Sequence, residues 1–252
     1  MSKQDDGWWT SGFFEAFRPA FGLIDKKATD AQVKYLIKNL KLKPGHSFLD
    51  CPCGIGRVSI PMAKKGIRVI GVDITKSYLD ELDIKAKRAK LHIKTVNSDM
   101  RRINFDSQFD AGGNLWTSFG FFNKESDNLL TSKKIYKALK PGGRFALHLI
   151  NRDWIMINFQ SNSWQDLGGT KVLESRRFDY RTSITYSKWR YIKDGKEQVF
   201  EVSMRMFSYH ELVELFESVG FIDIEGFGGV KDEPISRENR MMWIFGTKPR
   251  RL

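Results

Sequence analysis

Aromatic positions recur every four residues at Trp9, Phe13, Phe17 and Phe21, which predicts an amphipathic helix near the start of the chain, ended by Pro19 and Gly22. A second helix is predicted from Thr29, a good N-cap, to Leu40, followed by a Lys43-Pro44-Gly45 turn. From there, short apolar runs alternate with helical periods. His46–Cys51 reads as a buried strand, followed by a glycine-containing turn and a helix to about Lys65, closed by Gly66. Ile67–Asp73, Leu91–Asn97, Phe109–Trp116 and Arg144–Ile150 predict four more strands. Ser77–Ala89 and Asn123–Leu139 predict helices between them, the latter stopped by Lys140-Pro141-Gly142-Gly143. Strand–helix alternation with short turns implies a doubly wound, mostly parallel α/β sheet.

The period changes near residue 170. Lys171–Tyr180, Thr182–Ile192 and Gln198–Phe207 are β-like, and Lys193-Asp194-Gly195-Lys196 is a hairpin turn. A helix follows over Ser208–Val219, with Ser208 and Glu211 as a capping box and Gly220 at its end. Phe221–Phe227 and Arg240–Thr247 then complete a seven-stranded sheet. The expected organisation is an N-terminal helical cap over residues 1–42, a core of residues 43–155 and 208–252, and an antiparallel β insertion over residues 156–207.

A chain of 252 residues suits one α/β domain with an insertion. No apolar run approaches the roughly 18 to 20 residues of a membrane span. The first seven residues carry acids and no apolar stretch, unlike a secretory leader. The two cysteines, Cys51 and Cys53, are one residue apart, a poor spacing for a disulfide and half a zinc site at best. These features point to a reducing, cytoplasmic setting and to no metal. A net charge of +12 permits an anionic partner without demanding one.

The chemistry concentrates at Asp50-Cys51-Pro52-Cys53-Gly54-Ile55-Gly56-Arg57, between the first strand and its helix. Gly54 and Gly56 let the backbone approach a ligand closely, and the helix start beyond offers free N–H groups to an anion. A tight turn with no ligand is the plain alternative. Asp73 ends the second strand, where a carboxylate can accept both hydroxyls of a ribose or cap the next helix. Asp99 follows the third strand, poised for an adenine amino group. Three acids at three strand ends share one crevice, the usual ligand site of an open α/β sheet.

Taken in order, these segments resemble the motifs of class I S-adenosylmethionine-dependent methyltransferases, which have a Rossmann-like fold. Leu49 to Arg57 looks like their first motif, and Gly71-Val72-Asp73-Ile74-Thr75 like their acidic loop. Ser98-Asp99-Met100-Arg101 looks like the adenine-contacting segment, and Phe109-Asp110 to Asn114-Leu115 like the fourth motif. Leu139 to Phe145 resembles the turn before the fifth strand. Pro52 departs from the family, where a glycine is usual. Gly54 to Ser59 also fits part of a dinucleotide-dehydrogenase fingerprint, but Asp99-Met100 and the Lys-Pro-Gly-Gly turn favour the methyltransferase.

The resemblance implies that S-adenosyl-L-methionine binds here and leaves as S-adenosyl-L-homocysteine. Asp50 would anchor the methionine end, along with the backbone of Cys51, Pro52, Cys53, Gly54 and Gly56. Asp73 and Ile74 would hold the ribose, Asp99 and Met100 the adenine, while Asn114 and Leu115 would face the methyl group. On the acceptor side, Trp116 and Phe119 follow the fourth strand, and Trp8, Trp9 and Phe13 would lie over the same mouth, unless these aromatics are simply core. His148, near the end of the fifth strand, is the candidate base. Three readings stand: a methyltransferase for a small molecule or peptide, with the β insertion on the substrate side; an RNA or protein methyltransferase using the basic surface of Lys85, Lys87, Arg88, Lys90, Arg176, Arg177 and Arg181; and a non-catalytic cofactor-binding protein. The missing Pro-Pro after Asn114 and the aromatic mouth favour the first.

Overall fold

The computed structural model describes residues 7–122 and 124–250, and the backbone but not the side chain of Leu23. The expectations for residues 1–6, Asn123 and Arg251 lie outside the described residues. The chain opens on α1 (Phe13–Phe17), flanked by 3-10 turns at Trp8–Thr10 and Arg18–Leu23. The predicted aromatic helix is thus three short pieces, because Gly12 takes a left-handed φ of 87° and Pro19 enters at the start of the last piece. Next come α2 (Lys26–Asn39), β1 (Ser47–Asp50), α3 (Ser59–Lys64), β2 (Arg68–Asp73), α4 (Lys76–Arg88), β3 (Lys94–Asn97) and β4 (Phe109–Asn114). The N-cap of α2 is Asp25, whose carboxylate accepts from the Lys27 and Ala28 N–H groups; Thr29 is buried inside the helix instead.

The second half continues with α5 (Glu125–Ala138), β5 (Leu139–Ile150), α6 (Arg152–Asn158), β6 (Asn162–Leu167), β7 (Thr170–Asp179), β8 (Ile184–Lys193), β9 (Lys196–Arg205), α7 (Tyr209–Val219), β10 (Ile222–Phe227) and β11 (Met241–Thr247). The Lys140–Gly143 turn is absorbed into β5 as an irregularity, with register passing from Phe109↔Leu139 to Ala111↔Arg144. The capping box of Ser208 and Glu211 and the left-handed Gly220 form as expected. Asp194 and Gly195, both at positive φ, make the β8–β9 hairpin turn. No pattern in the sequence predicts α6 or β6.

The main sheet has the order β10-β11-β5-β4-β1-β2-β3, with β11 antiparallel to both neighbours and the rest parallel. Val33 and Leu36 of α2, Met62 of α3 and Leu82 of α4 cover one face. Ile135 of α5 and Leu212 and Phe216 of α7 cover the other. These helices bury their apolar stripes on the sheet, giving three layers. Because α2 packs on the main sheet, the stretch expected as a cap divides: only residues before Asp25 lean on the second sheet.

That second sheet, β6-β7-β8-β9, is antiparallel throughout. Its Leu167, Val172, Tyr191 and Val202 gather around Phe13, with Trp8, Phe14 and Phe17 packed alongside. Trp8 Nε1 donates to the Ser203 carbonyl at 2.9 Å, tying the N-terminal segment to β9. Arg205 of β9 pairs with Glu125 and Glu211, which joins the sheet to α5 and α7.

Candidate active site

Strand order reverses between β1 and β4, and the carboxyl ends of β1, β2 and β4 open there onto a cavity of about 1250 Å³. Its wall includes Asp50, Cys51, Pro52, Cys53 and Gly54 of the loop after β1. Gly54 takes φ +53°, and a Cβ there would meet only the Phe21 ring, at 3.7 Å. The backbone is therefore bare on the cavity side. Gly56 is different. It is absent from the wall, and a Cβ on it would lie 2.3 Å from Leu82 Cδ1, so its role is close packing of the turn on α4.

Asp50 is buried, and its Oδ2 accepts from Ser59 Oγ at 2.5 Å. Burial pushes its carboxyl up to about 7, against the lowering effects of Ser59 and Arg57. Asp73 accepts from the Gly54 N–H and the Thr75 N–H, both at 2.8 Å. It therefore shapes the glycine loop and the start of α4 while facing the cavity with Ile74. Burial raises its pKa, and those backbone donors oppose the rise. Both thiols are free and buried, and burial pushes each well above the usual thiol range.

Asp99 and Met100 line the next stretch of wall, but the Asp99 carboxylate is held by Arg101, at 2.7 Å from Nη2 and 2.8 Å from the backbone N–H. An adenine amino group would have to share that carboxylate. Asn114 does not reach the wall. It is wholly buried behind Met100, donating to its Sδ at 3.5 Å, and its Oδ1 has no partner among the described residues. Leu115 and Trp116 form the wall there instead.

After β4 the backbone turns sharply, with Trp116 and Thr117 both at φ 63°. The Thr117 N–H donates to the His148 carbonyl at 3.0 Å, and its hydroxyl accepts from the Ile150 N–H at 3.1 Å. These bonds hold a strained turn that presents Trp116 to the cavity. The same turn sends Phe119 the other way: it is 2% exposed, packs on Phe207 and belongs to the core, not to the acceptor side. Trp8, Trp9 and Phe13 do line the cavity, as do Phe121 and Phe122.

His148 lines the cavity and stacks on Trp243, with ring centroids 4.0 Å apart. Burial, with the nearby Arg57 charge, lowers its pKa to about 3, so the imidazole is neutral near pH 7. Its Nδ1 has no hydrogen-bond partner among the described residues.

Arg57, Glu174 and Arg176 are charged cavity residues that the sequence does not assign to the site. Arg57 donates to Gln32 at 2.6 Å and lies 5.6 Å from the Trp116 ring centroid. Glu174 and Arg176 of β7 face inward. Arg57 stands at the end of the glycine-loop segment, and its place in the cavity wall marks it as a site group. Arg176, expected on the basic surface, is turned into the cavity by strand alternation, while Arg177 points outward onto Tyr186.

An open α/β sheet with an acid-flanked glycine loop at its reversal point defines a nucleotide-cofactor-binding domain. Residues 48–143 match the family described as a methyltransferase domain. The cypemycin N-terminal methyltransferase of a Streptomyces species is 33% identical over 99 residues, 39% of this chain and 40% of its own length. The chain thus matches less than half of that relative. A Clostridium acetobutylicum S-adenosylmethionine-dependent methyltransferase superposes with a TM-score of 0.79 at 14% identity, covering 95% of this chain and 98% of its own. The sugar N-methyltransferase KedS8 of a Streptoalloteichus species gives 0.68 at 14% identity, covering 94% and 92%. At those identities the superpositions speak for the fold. Residues 48–143 thus match a methyltransferase domain, on the fold of an S-adenosylmethionine-dependent methyltransferase, and the Gly54–Ser59 turn lies inside that match.

Proposed function

We propose that the chain transfers a methyl group from S-adenosyl-L-methionine to a nitrogen or oxygen nucleophile of a small molecule or peptide, with S-adenosyl-L-homocysteine as product. The observation that carries this reading is the single cavity running from the glycine loop to the inner face of β6–β9, with room for cofactor and acceptor together. The residues present fit the cofactor: a bare backbone at Gly54, an acid at the end of β2 and a half-buried guanidinium at Arg57.

When bound, the cofactor supplies an electrophilic methyl on a cationic sulfonium. Asp73 would hold its ribose, Ser98 to Met100 its adenine, and the loop from Cys51 to Gly54 its amino-acid end, with Arg57 facing the carboxylate. Trp116 and Phe21 offer ring faces to positive charge. The aromatic wall excludes water from the reacting atoms. His148, being neutral, has one ring nitrogen able to accept a hydrogen bond, and a neutral amine acceptor needs no stronger base.

An N-terminal methyltransferase and a sugar N-methyltransferase are among the similar proteins by name, which supports a nitrogen nucleophile. Nucleic acid is not favoured: Lys85 is paired with Glu81, and Arg176 faces the cavity. A cytoplasmic location remains part of the proposal. Among the described residues no helix is long and apolar enough to cross a membrane.

The test is calorimetry with S-adenosyl-L-homocysteine on the wild-type chain and on Asp73→Ala, followed by a screen of amines, phenols and peptides for methyl transfer. Binding that Asp73→Ala weakens at least about tenfold supports the reading, since hydrogen bonds to charged groups are worth about 1.5–3 kcal/mol. Absence of wild-type binding sinks it.

A further inference from the structure

We infer that Glu174, held in place by Arg176 on the inner face of β7, is the group that binds the acceptor, and that the acceptor presents an amine to it. This deepens the proposed function and rests on it.

Alternation puts Val172, Glu174 and Arg176 on one face of β7, and the register places Trp189 across from Glu174 and Ser187 across from Arg176. All five line the cavity. Arg176 Nη2 lies 2.9 Å from Glu174 Oε2 and donates to Ser163 Oγ at 2.6 Å, so that end of the guanidinium is anchored to both. The Ser187 hydroxyl gives Glu174 a further hydrogen bond. Among the described residues, Glu174 is the one carboxylate on this face of the four strands.

An ion pair in such a place is a poor source of stability, because two charges leave water and their attraction repays that only with good geometry. Its value lies in what it presents. Burial raises the Glu174 pKa, and Arg176 and Ser187 oppose that rise. Ionised, the carboxylate is an acceptor with lone pairs beyond those its neighbours use. Of the Arg176 donors, Nη2 is committed to Glu174 and Ser163, while Nε is buried with no partner among the described residues. The carboxylate's free capacity is for a donor, and the neighbouring Trp189 ring favours one that is positively charged. The rest of the guanidinium suits an oxygen on the same molecule. An amine on a ring-shaped body that also bears hydroxyls meets all of these conditions. An alcohol lacks the charge, and a carboxylate lacks the donor.

The test uses the full chain saturated with S-adenosyl-L-homocysteine, titrated with phenethylamine and with glucosamine, each against its hydroxyl counterpart, phenethyl alcohol and glucose. Binding is read by calorimetry. At least one amine is expected to bind about tenfold or more tightly than its alcohol. Glu174→Gln is expected to abolish that preference, Arg176→Met to reduce it as strongly, and Arg176→Lys to restore part of it. Affinity for S-adenosyl-L-homocysteine is expected to stay within about twofold in all three variants. Equal binding of amine and alcohol, no amine binding, or an undiminished preference in Glu174→Gln overturns the inference. So does a parallel loss of S-adenosyl-L-homocysteine binding, which would make the pair structural. If the wild-type chain fails to bind S-adenosyl-L-homocysteine, the cofactor reading fails separately, and the same titrations without it still judge Glu174.

Discussion

Asp50 Oδ2 accepts a hydrogen bond from Ser59 Oγ at 2.5 Å, tying the last residue of β1 to the first residue of α3 beneath the glycine loop. Burial lifts the carboxyl from 3.8 to about 7, above its unfolded value. Between those limits the folded chain binds more protons than the unfolded one. Stability from this group is complete below 3.8 and is lost as pH rises through about 7. Asp50→Asn keeps an acceptor for Ser59 and removes the charge. The variant is expected to be more stable than wild type at about pH 8, with the difference shrinking towards about pH 4. Urea midpoints at both values measure this, and a difference that does not change with pH would refute it.

The two glycines of the loop separate packing from binding. Gly56→Ala places a methyl against Leu82 at a φ of +83°, and is expected to lower stability by roughly 2–4 kcal/mol. Gly54→Ala has open space but the same kind of backbone, so about 1 kcal/mol is expected, together with weaker S-adenosyl-L-homocysteine binding. Denaturation curves and calorimetry distinguish the two, and equal effects on both readouts would contradict the assignment.

His148 is expected to remain neutral from pH 5 to 8 when followed by NMR of the imidazole, because its pKa falls from 6.5 to about 3 on burial. Here the unfolded chain binds more protons between those limits. Stability from this group is complete above 6.5 and is lost as pH falls towards about 3. Replacing His148 with Phe should flatten that acid-side decline. Titration of the ring near its ordinary pKa would revive a role as general base.

Phe119 and Trp116 divide core from wall. Phe119→Leu is expected to cost about 1 kcal/mol in stability while leaving ligand binding intact, because the ring meets only core residues. Trp116→Leu should weaken binding with little change in stability, since the ring faces the cavity and Arg57. The reverse pattern would move Phe119 back to the acceptor side.

Much of the main sheet is legible in the sequence because strands and helices follow one another with glycines at their ends, and Ser208 with Glu211 is a local signal that needs no tertiary partner. The pieces that escaped have no such signal. Strand β6 carries an exposed Trp164 (73%) and shows no apolar period, and α6 buries none of its residues. Asp25 and Thr29 are both good caps, and only burial of Thr29 decides between them. At the site, the loop and its acids stand at strand ends, which topology fixes. Whether Asn114, Phe119 or Arg176 faces the cavity depends on the turn at Trp116–Thr117 and on which face of β7 meets the N-terminal aromatics. Neither is written locally.

Strand β11 lies between β10 and β5, and its Trp243 backs the His148 ring. During synthesis, β5 therefore leaves the ribosome about a hundred residues before the neighbour that will cover its edge. Until Met241–Thr247 emerges, the nascent chain carries an open, sticky border with no finished floor beneath the cavity. A chaperone that shields unpaired strand edges would have its longest task here.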